Sequence, residues 1–494
     1  MPTKMQNEIE LKLRISPKDV LRLRRHAAIR QHLTDKPITR RLVSVYYDTP
    51  DLQLLKKKIS LRVRRMSGGW FQAVKGSGHS LAGLHQRMEW EDIIAHGHPD
   101  FTKITEPSLA KIFADQNLRD TLRPIFLTDV KRTEWQLTYE DGTAIEVALD
   151  LGQLEVGTQS EPISEVELEL KKGEAWRLFE LAALLQQTIP LQIENISKAE
   201  RGYRHFRPAT PAASHAQAVR LPAKSSSASA FQMIGLECLR QMQANQELVM
   251  QADVEATHQM HIAVRRLKVA FQLFGFKNPA IRAELDWLNQ MLGNARNWDV
   301  LSTEILPQLL PQAPEHEVMQ ALVEKKRRAS YQKLKKTFES QRYQALLLSL
   351  GTELTKKMKK GRHSARTLLQ QRLQGIVQKL PWEQAKLGTL SHDQFHRTRI
   401  RLKRLRYMQE FFDLSGFRRL PIKSVIRLQK QMGTLNDLRV GKQLLTSITR
   451  NLPADIKQTM TEKISSRSNQ LTQIAKLRIQ SCWEKLRQKK SGHN

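Results

Sequence analysis

In EVELEL, residues 165–170, Glu165, Glu167 and Glu169 alternate with Val166, Leu168 and Leu170. Period-two alternation marks a strand with one apolar face, and it sets the carboxylates about 7 Å apart on the other. NEIELKLRI, residues 7–15, repeats the pattern: Glu8, Glu10, Lys12 and Arg14 share one face, and Ile9, Leu11, Leu13 and Ile15 the other. Carboxylates gathered this densely repel one another unless a cation comes between them. Oxygen-only ligands suit Mg2+ or Mn2+, which are commonly held by a few carboxylates together with substrate phosphates.

Further strand-like segments supply cations. Arg62 and Arg64 share a face in SLRVRR, and Lys75 ends WFQAVK. Arg87 and Glu89 share a face in LHQRMEW, Arg132 and Glu134 in DVKRTEW, and Glu146 and Asp150 in AIEVALD. Converging Arg and Lys side chains hold a multiply charged anion, Arg in bidentate geometry. One charged strand face is usually just solvated. At least five in one region, each backed by an apolar face, predict an enclosed charged interior. Carboxylates for metal and cations for phosphates describe a site that hydrolyses polyphosphate bonds. The sequence has no GxxxxGK[ST] loop, so ordinary P-loop chemistry is not indicated.

The elements that must position these groups fall into two regions. Strand alternation recurs at 8–15, 60–65, 70–75, 84–93, 130–139, 143–150 and 164–170, with SGG, EDG and DLG as turn signals. Helical periodicity appears at 17–30, 108–117 and 173–187. Residues 1–207 therefore predict an α+β domain. A Pro/Ala/Ser-rich stretch over 208–230 predicts a linker. Strand signals then vanish, and 231–490 predicts an all-α domain.

That second region contains a duplication. HQMHIAVRRLKV (258–269) aligns with HRTRIRLKRLRY (396–407), and LNQMLGNARNWDV (288–300) with LQKQMGTLNDLRV (428–440). On a helix, His258, His261, Arg265 and Lys268 form one stripe, and His396, Arg399, Lys403 and Arg406 form its counterpart. Neither stripe contains an acid, whereas a solvated helix face usually mixes signs. A bound anion accounts for the clustering. His258 and His261 have no partnering carboxylates at ligand spacing, so a metal there is disfavoured.

Composition limits the classes. At 494 residues with 40% hydrophobic content, the chain is long enough for two or three domains. Up to Arg207 there are 32 Lys and Arg against 28 Asp and Glu; beyond it, 49 against 21. The second region therefore calls for a polyanion partner. Two cysteines, Cys238 and Cys482, without a CxxC, predict neither a disulfide framework nor a thiolate metal site. No membrane span and no apolar signal core are expected, so a cytoplasmic location is.

EIELKL matches the ExExK signature of the CYTH superfamily, the triphosphate tunnel metalloenzymes. LRVR, AVK, HQRMEW, EVALD, EVELEL and SKAERGY follow in that family's order, so residues 5–206 resemble it. The resemblance implies a closed antiparallel eight-stranded tunnel barrel that binds triphosphate with a divalent metal. It implies metal-side carboxylates at Glu8, Glu10, Glu167 and Glu169, with Asp150 and Glu165 as helpers. It implies phosphate-side cations at Lys12, Arg62, Arg64, Lys75, Arg87, Arg132 and Lys198. Arg14, Arg201 and Glu146 serve equally well as rim salt bridges. Catalysis would draw on Glu8, Glu10, Lys12, Lys75, Glu167 and Glu169 by positioning and electrostatics, with no Ser or His nucleophile. His79 and His85 read as surface or rim histidines.

The repeated H-x2-[RH]-x3-[RK]-R-L-[RK] pattern resembles a CHAD domain over residues 231–485. That resemblance implies paired helical bundles binding inorganic polyphosphate. Together the expectation is an inorganic triphosphatase with a polyphosphate-binding domain and an association with polyphosphate granules, and with nucleic acid disfavoured. An organic triphosphate (nucleotide or thiamine) stays open, with Trp70, Phe71 and Trp90 available for a mouth pocket. So does a non-catalytic polyphosphate-binding or granule-targeting protein. Oligomeric state is not legible.

Overall fold

The computed structural model describes residues 6–66, 68–208, 210–219, 221–222, 224–311, 314–356, 364–387, 390–411, 422–450 and 452–491. These fall into two compact units. One is drawn from Met1–Pro211 and Glu339–Lys357, the other from Ala212–Phe338 and Met358–Asn494.

The first unit is a closed antiparallel barrel. Its strands are β1 (Gln6–Ile15), β2 (Ile38–Asp48), β3 (Ser60–Met66), β4 (Gly69–Leu81), β5 (Leu84–Ile94), β6 (Arg123–Thr138), β7 (Ala144–Val156) and β8 (Gln159–Lys172). They pair in the order β5-β4-β3-β2-β6-β7-β8-β1, and β1 closes on β5. Closure leaves no unpaired edge in the ring. A three-residue strand, β9 (Leu191–Ile193), adds to β1.

The alternation seen in the sequence becomes an inside and an outside. Leu11, Leu13, Val166 and Leu168 are each at most 1% exposed on the outer face. The Trp176–Gln186 helix covers β1 and β8 there. Elsewhere Leu61, Val63, Val74 and Trp90 pack with Leu109 and Phe113 of the Pro107–Phe113 helix. At one end of the barrel apolar side chains replace charged ones: Leu42, Phe126, Val130, Leu154 and Ile163 pack with Tyr46 and with Tyr203 of the Lys198–Phe206 helix.

Three differences from the sequence reading stand out. Strand β2 was not among the expected segments. The 17–30 helix is two short helices, Val20–Arg24 and Ala27–Arg30, separated at His26, whose extended backbone (ψ 132°) and ring Nδ1 cap the second one. His85 lies buried rather than at a rim, against the Glu194 carbonyl, and burial followed by the Lys12 charge lowers its pKa to about 4. The side chain of His79 lies outside the described residues.

The second unit is helical. The Ser227–Met250 helix packs along Val254–Leu273, which packs on Pro279–Val300; His392–Phe411 packs on Ile422–Thr449, which packs along Ala454–Ser491. Before Ser227, Asn245 and Glu237 hold the chain by accepting from the Ser214 and Gln217 amides. Arg266 is fully buried where the two copies meet. It donates to Gln241 at 2.9 Å, lies 3.7 Å from the Glu410 carboxylate, and stacks 5.2 Å from the Phe411 ring. Both cysteines are free. Among the described residues no helix is long and apolar enough to cross a membrane.

Candidate active site and basic stripes

Barrel order sorts the charges. Arg87, Lys75, Arg62 and Arg64 stand on the consecutive strands β5, β4 and β3, and Arg132 on β6. Asp150, Glu165, Glu167, Glu169, Glu8 and Glu10 stand on the consecutive strands β7, β8 and β1. All of these except Glu165 line one cavity, with Lys12, Tyr46, Ser60, Thr128, Val130, Ser197 and Lys198. The interior therefore has a mainly cationic wall and a mainly anionic one.

Strand register decides who meets whom. Glu8 lies opposite Arg87, Lys12 opposite Glu167, and Arg132 opposite Asp150. Cross-strand neighbours of opposite charge pair. Lys75 donates to both oxygens of Glu8 at 2.8 Å, and Arg87 reaches Glu8 at 3.1 Å and Glu10 at 2.7 Å. Lys12 bridges Glu10, at 2.8 Å, and Glu167. Arg132 grips Asp150 with two bonds, at 2.7 and 2.6 Å, and also meets Glu167. Lys198 is the first residue of its helix, which Ser197 caps by accepting from the Glu200 amide at 3.2 Å. Its ammonium contacts Asp150 at 2.7 Å, Glu167 at 3.0 Å, and Glu165. Arg201 holds Glu165 at 2.8 Å and Glu161 at 3.1 Å. The cations that the clustered carboxylates require are thus the protein's own.

The ionisation of each group follows. Burial opposes charge on Glu8, but Lys75, Arg87 and Lys12 hold its carboxyl well below the usual range. Burial is likewise outweighed at Glu167 by Lys12, Lys198 and Arg132, and at Asp150 by Arg132 and Lys198, which bring Asp150 to about 2. At Glu165 and Glu169 burial wins, and their pKa values rise. Glu169 is the more accessible, paired with Lys171 at 2.7 Å.

Arg64 differs from every other cation in the cavity. Among the described residues it has no carboxylate partner; its Nε donates to Ser44 Oγ at 2.9 Å. Burial, then repulsion from Arg62 and Arg132, lowers its pKa to about 10. A buried guanidinium surrounded by like charge is stabilised by an incoming anion. Tyr46, which the sequence reading passed over, lies beside it. Burial raises the phenol's pKa, but Arg62, Arg64, Lys75 and Lys198 together more than reverse that.

On the anionic wall, Asp150, Glu165 and Glu167 bring carboxylate oxygens within 4.8 Å of one another. Three buried oxygen donors fit a hard divalent cation. Glu8, Glu10 and Glu169, also expected as metal ligands, face the same cavity and, like those three, are ion-paired, here with Lys75, Arg87, Lys12 and Lys171. Trp90 belongs to the outer core, and Trp70 packs against that core.

In the helical unit, the two stripes converge. Lys403 feels Arg265, Arg399, Asp437 and Arg406; His261 feels Arg265 and Lys403; His258 feels Arg296, Arg265 and Arg406. His261 bonds Asn289 Oδ1 at 3.1 Å. Burial, followed by the cationic neighbours, lowers Lys403 to about 7 and His258 to about 4. Two predicted members differ: Lys268 is paired with Asp286, and His396 is exposed. Arg406 also pairs with Glu410 at 2.7 Å. Arg296 and Asp437, which sequence reasoning did not single out, come from the second repeated element.

Comparison with known proteins matches each region to a family. Residues 6–203 match the model of the CYTH domain, and residues 234–446 that of the CHAD domain. A curated relative, the inorganic triphosphatase of Haemophilus influenzae, is 36% identical over 201 residues, 40% of this chain and 55% of that protein. The chain thus spans about half the length of the curated relative it matches. Among solved structures, the CHAD domain from the plant Ricinus communis is 29% identical, with a TM-score of 0.49, covering 55% of this chain and 96% of that one. A putative adenylyl cyclase from Hippeastrum, described as having a dominant triphosphatase activity, is 17% identical, with a TM-score of 0.30, covering 40% and 96%. The chain carries a CYTH domain followed by a CHAD domain.

Proposed function

We propose that the barrel hydrolyses inorganic triphosphate with Mg2+ or Mn2+, and that the helical unit binds inorganic polyphosphate. The observation that carries the first part is Arg64, half-buried beside Arg62 and Arg132 and, among the described residues, without a carboxylate partner. The inorganic triphosphatase from Haemophilus influenzae supports the substrate. The placement of Trp90 in the outer core, with Trp70 packed against it, favours an inorganic substrate over one with an aromatic head group.

Arg62, Arg64, Lys75, Arg87 and Arg132 would bind and orient the phosphate chain along the cationic wall. Asp150, Glu165 and Glu167 would hold the metal, with Glu8, Glu10 and Glu169 available along the same wall. A metal bound there supplies charge neutralisation at the phosphate oxygens. Lys12 and Lys198, freed from part of their carboxylate contacts as substrate enters, would turn toward phosphate oxygens. The enclosed interior limits water and strengthens each of these interactions. Long chains would be bound by the two basic stripes rather than cleaved there, and a polyphosphate-granule association would follow from that binding.

Arg64→Lys tests the central contact. The lysine keeps the charge but cannot make two parallel bonds to phosphate. The expected result is a fall in kcat/KM of about tenfold or more for tripolyphosphate, measured by phosphate release. Unchanged kinetics in this variant would remove Arg64 from the site. Comparing tripolyphosphate with nucleoside and thiamine triphosphates in the same assay tests the substrate class.

The converging stripes should show a pH dependence of their own. Lys403, near 7 without a bound anion, is raised by a bound polyanion, so binding takes up a proton. Affinity for long-chain polyphosphate should therefore rise as pH falls from about 8 to about 6. Lys403→Arg stays charged throughout, and its affinity should depend less on pH. Calorimetric titration in buffers of different ionisation enthalpy measures the proton directly; equal uptake in wild type and variant would exclude Lys403 as its acceptor.

A further inference from the structure

The Gln341–Thr355 helix comes from within the helical half of the sequence, yet it belongs to the barrel unit. It packs on the Trp176–Gln186 helix and on β9. The fit against the first is close. A Cβ on Gly351 would lie 2.2 Å from the Phe179 ring, and the Lys356 ammonium lies 4.9 Å from the Trp176 ring centroid. Against β9 the contact includes a polar bond. Gln344, 4% exposed, accepts the Ile193 amide through Oε1 at 2.9 Å.

Ile193 stands at a junction. It lies opposite Leu13 in β1, and the next amide, of Glu194, donates to the Lys12 carbonyl at 2.9 Å. The Glu194 carboxylate takes Arg14 and the Ile196 amide. Asn195 Oδ1 accepts from the Gly83 amide at 2.8 Å, and the Gly83 carbonyl accepts from the Lys12 amide at 2.9 Å. Gly83 has no room for a side chain: a Cβ would meet the Lys12 carbonyl at 2.8 Å. Two residues after Asn195, Ser197 caps the helix that begins with Lys198. The chain from Ile193 to Lys198 thus connects the backbone of Lys12 to Lys198, and the ammonium groups of both hold Glu167.

We propose that Gln344 is a positioning residue for the tunnel: by holding the Ile193 amide it fixes β9, and through β9 the placement of Lys12 and Lys198 about Glu167. The helix Gln341–Thr355 is then part of the barrel's working machinery, supplied by the later half of the chain. The proposal rests on the triphosphatase reading for its kinetic readout, and the backbone readout is independent of it.

The test uses the full chain. Gln344→Leu and Gln344→Met keep most of the volume and remove the acceptor; Gln344→Glu keeps an acceptor; Ser349→Ala changes an exposed position on the same helix. Each is assayed for kcat and KM with tripolyphosphate well below its melting transition, and for amide exchange at Lys12 and Glu194. The two apolar variants should lose about fivefold or more in kcat/KM, chiefly in kcat, while remaining cooperatively folded. Exchange at Glu194 should quicken by about tenfold. Gln344→Glu should stay within about twofold of wild type, and Ser349→Ala should match it. A lowered melting temperature with unchanged kcat/KM and unchanged exchange would mean packing alone, and would overturn the proposal. So would Gln344→Glu behaving like Gln344→Leu. If wild type releases no phosphate, the triphosphatase reading fails, and exchange at Glu194 still decides whether Gln344 holds β9.

Discussion

Glu167→Gln is expected to reduce kcat/KM for tripolyphosphate by about 10²–10³, because it removes a charge around which the anionic wall is organised. Glu167 is 7% exposed and meets Lys12, Arg132 and Lys198 at once. Its loss also leaves three buried cations short of a partner. Breaking a buried ion pair costs about 3–5 kcal/mol, so the variant should melt earlier than wild type in the absence of anion. Tripolyphosphate should then restore part of the loss, stabilising the variant more than the wild type. The sequence alone suggests the opposite sign, since clustered carboxylates gain from losing a member. The pairing at Glu167 reverses it, with Lys12 opposite in register and Arg132 and Lys198 reaching the same carboxylate. Wild-type turnover at low metal, or a raised melting temperature without anion, would remove Glu167 from this role.

The barrel's charged interior is legible because period two separates the two faces of each strand regardless of tertiary context. Pairing is not, because it depends on register, which no single strand encodes. EVELEL announces three carboxylates, but only pairing against β1 and β7 brings Glu167 opposite Lys12 and Glu165 opposite Asp150. The same limit hides the compact oxygen cluster of Asp150, Glu165 and Glu167 within a longer roster of acids. Strand β2 escapes for a local reason. Adjacent pairs, Arg40–Arg41 and Tyr46–Tyr47, interrupt its alternation, and Arg40 and Arg41 are satisfied from opposite faces by Glu134 and Asp129 of β6. With β2 goes Tyr46. The Gln341–Thr355 helix carries Leu346, Leu347, Leu348 and Leu350, which read as an ordinary core face of the helical half; nothing in their spacing says that they cover the barrel unit.

In the helical unit, duplication and helical spacing place the basic stripes, because both are local properties. That the two stripes face one another is a tertiary fact. It explains why Lys403, on one copy, adds to burial and Arg265 in lowering the pKa of His261, on the other. The buried Arg266 marks the same meeting of copies from the apolar side, against Gln241 and Phe411. Lys268 and His396 differ from the other stripe members, the first in its pairing with Asp286 and the second in its exposure.

Removing Arg399, Lys403 and Arg406 together should weaken binding of long-chain polyphosphate by the full chain by about 10²-fold or more at moderate salt. Each cation that contacts a phosphate releases counterions on binding. By analogy with nucleic acids, six to ten contacts lose about 10³–10⁵ in affinity between 50 and 200 mM salt. The triple variant should therefore also lower the logarithmic salt slope by about 2–3. Lys325, Lys326 and Arg328 provide the control, because they are exposed on the Pro314–Glu339 helix. Arg327 between them must be left alone, since it holds the buried Asp299 at 2.8 Å. Replacing those three should change affinity much less than the triple variant does. RNA spaces its charges more widely and carries bulky bases, so it should compete poorly at equal phosphate concentration. If RNA displaces polyphosphate under those conditions, or if the triple variant keeps wild-type affinity and salt slope, the convergence of the two stripes serves some purpose other than polyphosphate binding.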